Sequence, residues 1–177
     1  MIEVSITASC VRKLERALRE AGSKEIGGVM AAEQVGDGRF LVVDLSIQDD
    51  GTSSNFERDP IQHREFIRRF HSRMGHQPER FNYLGEWHSH PNYLAIPSKA
   101  DIQQMQNLVE DEDQVSTFLV LMVVKLAEEA SLRGSVYGFR PQLAPVRGRL
   151  RGAEFVPIQE EFEPIIVILG MRKKDDA

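Results

Sequence analysis

One cysteine, Cys10, stands in a chain of 177 residues. A single thiol rules out an internal disulfide and the small stapled scaffolds that depend on one. It fits a reducing compartment, so a cytoplasmic protein is expected. Cys10 sits beside Val11 in a helical pattern, which reads as packing rather than reactive chemistry. Long apolar runs are also missing. The longest, residues 118–124 and 165–169, are too short to span a bilayer as helices. The first residues carry neither a basic stretch nor an extended apolar segment, so no signal peptide is expected. Basic clusters are scarce too. The formal charge is −5, and lysine and arginine are spread out, with the densest groups at residues 64–73 and 147–151. That balance argues against a nucleic-acid surface. Repeats, low-complexity tracts and a credible interdomain linker are absent. What remains is length enough for one domain with a sizeable core.

Periodicity predicts the order of elements. Residues 2–6 read as a short strand. Val11, Leu14, Leu18 and Ala21 then recur at helical spacing over residues 8–21, and Gly22 stops the helix. Residues 25–34 and 40–47 are strands joined by the Gly36-Asp37-Gly38 turn, a hairpin. Gly27 and Gly28 weaken such a strand, which implies a close neighbour at the backbone. After a polar loop, Asp59 as N-cap and Pro60 at the first helical position open a helix. Its expected buried stripe is Phe66, Ile67, Phe70 and Met74, with His63 and His71 solvated. Residues 80–90 form a central strand and residues 98–110 a helix burying Ile102, Met105, Leu108 and Val109. The unbroken apolar run at 117–124 is a strand covered on both faces, with 132–139 as its antiparallel neighbour. Further strands are expected around residues 150–156 and 165–169. The prediction is one α/β domain over residues 1–171, a mixed, largely antiparallel sheet flanked by helices, followed by a charged tail at 172–177.

The chemistry concentrates in Gly85-Glu86-Trp87-His88-Ser89-His90-Pro91 and in Ser98-Lys99-Ala100-Asp101. On a strand, alternation puts His88 and His90 on one face. On a helix start, Ser98 and Asp101, three positions apart, share a face. Each half has an ordinary reading: a His-x-His pair can simply decorate a strand, and Ser-x-x-Asp is a capping pattern. Together they can close on one metal. Two imidazoles and one carboxylate leave a fourth tetrahedral position open, the pattern of a catalytic zinc rather than a structural one. Ser89 alternates to the opposite face and reads as structural, and Trp87 as core. Glu86 shares the parity of the histidines. It either orients an imidazole N–H or belongs to a salt bridge or to solvent.

His88-Ser89-His90, seven residues, Ser98, two residues and Asp101 resemble the signature of the JAMM (JAB/MPN+) metalloproteases. An upstream glutamate followed by paired glycines completes that signature, and Glu25-Ile26-Gly27-Gly28 supplies it. The resemblance implies a curved sheet with helices on its sides, a cytidine-deaminase-like sandwich, with the metal site close to the paired glycines. It implies one zinc ion on His88, His90 and Asp101. Glu25 is then the general base and acid, and Ser98 the hydroxyl that shares the oxyanion.

The compact chain and the phrase Tyr83-Leu84-Gly85-Glu86-Trp87-His88-Ser89-His90-Pro91 are most similar to stand-alone prokaryotic JAMM proteins. That similarity implies a zinc isopeptidase or peptidase acting after the C-terminus of a ubiquitin-like modifier. Its partners would be the modifier, the conjugated target and E1/E2-like proteins of a bacterial conjugation system, as in CBASS and related antiphage operons. Neither nucleic acid nor membrane is expected as a partner. Residues 49–56 and 141–151 are candidate grips for the modifier's tail, held as an added strand. Two other readings stay open: a JAMM hydrolase acting on a sulfur-carrier precursor or a small amide, and a non-catalytic MPN scaffold.

Overall fold

The computed structural model describes residues 1–49, 51, 59–111, 117–127 and 131–152, and the backbone of 155–156. The expected strand at 165–169 and the tail at 172–177 lie outside the described residues.

The order of elements is β1 (Glu3–Ile6), α1 (Ala8–Ala21), β2 (Gly27–Gly36), β3 (Arg39–Leu45), α2 (Pro60–Arg73), β4 (Phe81–Ser89), α3 (Lys99–Glu110), β5 (Leu119–Leu126), β6 (Leu132–Phe139), β7 (Val146–Arg147), β8 (Arg149–Arg151) and β9 (Phe155–Val156). One sheet runs β7-β6-β5-β4-β2-β3-β1-β8, with β9 also on β6. Its long ladders, β2–β3, β2–β4 and β5–β6, are antiparallel. The β1–β3, β1–β8 and β4–β5 pairs are parallel.

Two apolar layers hold the sheet. On one face α1 packs Val11, Leu14 and Leu18 onto Val4, Met30, Trp87, Val120 and Met122. On the other, α3 packs Ile102, Met105, Leu108 and Val109 onto Leu119, Leu121 and Val123. The alternate residues of β5 thus serve both layers, as expected for a strand covered on both faces. Cys10 is buried on α1, where desolvation pushes its thiol up, consistent with packing rather than reactivity.

β7 and β8 are separated only by Gly148, yet they lie at opposite edges of the sheet. The two edges are therefore brought together and the sheet is curved. The Gly148 amide donates to the Val136 carbonyl on β6, and the Arg149 amide to the Ile2 carbonyl beside β1. A side chain at Gly138 would overlap Ile2 Cδ1, 2.0 Å away, so glycine lets the edges meet.

Four sequence expectations change. Glu25 lies before β2 rather than within it, because the ladder with β4 starts at Gly27. Of the paired glycines, Gly27 faces His88 across the ladder, whereas the close neighbour of Gly28 is Ser46: a Cβ at Gly28 would come within 2.3 Å of the Ser46 carbonyl oxygen. On α2 only Phe70 and His63 are buried. His63 is thus not solvated, and Phe66, Ile67 and Met74 are half-buried. The single strand expected near 150–156 is two short ones, because 149–151 pairs with β1 and 155–156 with β6. Sheet closure also occupies 146–151, so residues 141–145 are what remains of that candidate grip as a loop.

Candidate functional site

Parallel neighbours such as β4 and β5 need a crossover, and here α3 is that crossover. The chain leaves the carboxyl end of β4 and enters α3 through residues 90–98. This is why the histidines at the end of β4 meet the first turn of α3.

Along β4 the alternation is reset once. Met30 pairs with Gly85 and Ala31 with Tyr83, so Leu84 is an extra residue in the ladder. Gly85 absorbs the bulge at φ 146°, with a hypothetical Cβ only 2.0 Å from the Val120 carbonyl oxygen. Leu84 and Trp87 then both face the α1 layer. Glu86 and His88 alternate with Trp87, which turns them toward α3. Trp87 anchors the strand by donating its indole N–H to the Ser46 carbonyl at 2.9 Å.

His88 and His90 are both buried, with Nε2 atoms 3.1 Å apart. Asp101 Oδ1 lies 3.5 Å from His88 Nε2, and Oδ2 lies 3.6 Å from His90 Nε2. One ligand atom from each residue lies within 4.8 Å of the others, so small adjustments let the three converge on one tetrahedral ion, in which bonds of about 2.0–2.2 Å put neighbouring ligand atoms roughly 3.3–3.6 Å apart. The tautomer of His90 also fits. Its Nδ1 is 3.1 Å from the Leu94 carbonyl oxygen, which can only accept, so Nδ1 carries the hydrogen and Nε2 presents a lone pair.

Asp101 is fixed by the helix it helps to start. Ser98 is the N-cap: its hydroxyl accepts from the Asp101 amide at 3.2 Å, and its amide donates to Asp101 Oδ2 at 2.6 Å. Asp101 is therefore shared between the cap and the candidate ligand set. Partial burial by itself pushes the Asp101 carboxyl up. The hydrogen bond and charge of His88, with the bonds from Ser98, outweigh that and hold it well below the usual carboxylate range. The helix N-terminus favours the same charged form.

Glu25 reaches the site from a different part of the chain. It is buried, and the ladder that pairs Gly27 with His88 sets it beside the histidines. A cavity of about 590 Å³ brings together Glu25, His88, His90, Ser98 and Asp101. Glu86, whose role the strand pattern leaves open, is buried and lines the same cavity. Tyr93, Leu94 and Gln104 also line it, and motif spacing singles out none of them. Proximity of Tyr93 and Leu94 to the histidines in sequence is their one available signal. The cavity therefore combines three potential metal ligands, the buried carboxylates of Glu25 and Glu86, and the Ser98 hydroxyl. Such a set can polarise a carbonyl, move a proton and share an oxyanion. His71 lies apart, 3.2 Å from the Asn82 side-chain oxygen.

The fold is similar to that of protein DSY2949 from Desulfitobacterium hafniense, at TM-score 0.63 and 18% identity over 89% of this chain and 95% of that one. A protein from Salinibacter ruber aligns over 90% of this chain and 95% of its own, at 17% identity and TM-score 0.49. Among curated proteins none matches. No helix among the described residues is long and apolar enough to cross a membrane. A family model for prokaryotic homologs of the JAB domain matches residues 7–134, a span that includes every residue of the site, and the chain belongs to that family.

Proposed function

We propose that this protein is a zinc-dependent peptidase or isopeptidase that hydrolyses the bond after the C-terminus of a ubiquitin-like modifier. The observation that carries the reading is the convergence of His88, His90 and Asp101, with Glu25 buried in the same cavity. A zinc ion on those three residues would supply Lewis acidity, polarising a carbonyl and making water nucleophilic at neutral pH.

The chain's own groups do the rest. The Glu25 carboxylate takes the proton from water as its oxygen adds to the carbonyl carbon, and returns it to the amine as the C–N bond breaks. Water and amide are consumed; carboxylic acid and amine are formed. The Ser98 hydroxyl, held in the cavity by the Asp101 amide, would donate its hydrogen to the carbonyl oxygen where negative charge develops. His90 is kept in the ligating tautomer by the Leu94 carbonyl. We further propose that the modifier belongs to a bacterial conjugation system with E1- and E2-like partners, and that the enzyme works in the cytoplasm of cells using it for antiphage defence. Family membership supports the hydrolase. The modifier and its setting rest on the similarity of motifs alone.

The test is release of a fluorogenic amide from the C-terminus of ubiquitin-like proteins encoded beside this gene, with and without a zinc chelator. Chelator-sensitive release that disappears in Glu25→Ala is expected. Zinc-loaded protein that releases nothing from any of them would instead favour a scaffold or a hydrolase of small amides.

A further inference from the structure

We infer that the loop between β4 and α3 is a substrate-reading wall, in which Tyr93 and Leu94 receive an apolar side chain lying beside the bond to be cut. This rests on the hydrolase reading above and adds the chemistry that the site selects.

Three successive carbonyls of the loop each accept from a side chain, two of them on neighbouring strands and one at the loop's own start. Lys125 Nζ on β5 donates to Tyr93 O at 2.9 Å, His90 Nδ1 to Leu94 O at 3.1 Å, and Ser135 Oγ on β6 to Ala95 O at 2.6 Å. Asn92 adds a longer bond to the Ser23 carbonyl, 3.4 Å away. The backbone is pinned, yet the side chains it displays are open to solvent: Tyr93 is 60% exposed and Leu94 49%. A single exposed leucine is ordinary. Two adjacent apolar side chains on a backbone anchored this way, both lining the cavity that holds the metal-ligand set, are a built surface. The Tyr93 ring stands edge-on to His90, 6.4 Å between centroids, so the wall begins at the ligand itself.

The rest of the lining sets the preference. Ile96, Pro97, Met105 and Leu121 continue the apolar surface. The charged groups among the described lining residues are the carboxyls of Glu25, Glu86 and Asp101, with no lysine or arginine. An acidic residue beside the scissile bond is therefore disfavoured, and an aliphatic one favoured. Because the loop is already ordered, docking against it costs little further conformational entropy.

The probe is a matched set of labelled peptides carrying Leu, Ala or Asp immediately before or immediately after the amide. Their binding to zinc-loaded Glu25→Gln protein is read by fluorescence polarisation. Leu is expected to bind more tightly than Ala by about 5- to 30-fold at one of the two positions, the scale of burying one aliphatic side chain. Asp is expected to bind most weakly. Tyr93→Ala and Leu94→Ala should shrink the Leu–Ala difference to below about threefold, with zinc content and thermal unfolding unchanged because both side chains are exposed. Equal binding of Leu and Ala peptides at both positions overturns the inference, and so does discrimination that survives both substitutions. The two proposals fail separately. Hydrolysis by wild type with no flank preference sinks the wall alone. Discriminated binding with no amide release by wild type from any of the ubiquitin-like proteins sinks the peptidase reading and leaves the wall.

Discussion

Ser89, the residue between the two histidines, clamps the residue that follows Glu25. Its hydroxyl accepts the Ile26 amide at 3.0 Å, and its own amide donates to the Ile26 carbonyl at 2.8 Å. Ser89 is fully buried. The His-Ser-His triplet therefore does two jobs by alternation. One face carries the candidate ligands, and the other fixes the distance between them and the candidate base.

Ser89→Ala should keep its metal and lose turnover. The Ile26 amide would be left buried without its side-chain acceptor, which costs about 1–3 kcal/mol of stability. Zinc analysis, thermal unfolding and amide release check this together. Unchanged turnover alongside a lowered melting temperature would reduce the clamp to a structural role.

His88→Ala and Glu25→Gln should separate metal from proton transfer. The first removes one of three ligands and is expected to abolish stoichiometric zinc. The second leaves all three ligands in place and is expected to retain zinc and lose turnover. Equilibrium dialysis with metal analysis reads both. A Glu25→Gln protein that still turns over would remove the general-base assignment.

Ser98 has a capping role and a proposed donor role that substitution can divide. Ser98→Gly keeps most of the cap, since glycine costs only a few tenths of a kcal/mol at an N-cap, whereas alanine costs about 1 kcal/mol. Both lose the hydroxyl hydrogen, and both should lower kcat by on the order of 10²–10³-fold. If glycine restored turnover relative to alanine, the cap rather than the donor would be what matters.

Asp44 gives the clearest pH prediction. It holds two helices to the end of β3, through Lys13 of α1 at 3.3 Å and through Arg73 of α2. Partial burial alone would raise its carboxyl, but the bonds from Arg73, Lys13 and the Leu45 amide leave it below its ordinary value of 3.8. A carboxyl depressed in the fold stabilises fully above its unfolded value and loses that contribution as pH falls through the folded one. Asp44→Asn should therefore cost about 1 kcal/mol, or ~2–4 °C, at pH 6 to 7. The difference from wild type should shrink only below about pH 4. A penalty that vanished already at pH 5 would contradict the assignment.

Most of the site was legible because it is local. His88, His90, Ser98 and Asp101 lie on one strand end, one loop and one helix start, and periods of 2 and 3.6 with a capping pattern place them without reference to the rest of the chain. The helix of residues 8–21 was equally legible, since Thr7 caps it, its apolar stripe is regular and Gly22 ends it at φ 61°. His63 was not, because polar type predicts exposure while burial follows from what α2 packs against.

What the sequence alone determined is the candidate ligand set and its spacing, because bonded geometry carries side chains a few residues apart to a common face. Tertiary structure decided three things that no short window contains. The pairing of Gly27 with His88 brings Glu25 to the candidate metal ligands across 63 positions of chain. The bulge absorbed by Gly85 turns Glu86 and His88 toward α3, because a one-residue slip exchanges the faces of a strand. The meeting of β7 and β8 with opposite edges curves the sheet, because backbone groups left at an edge find partners only when distant strands arrive.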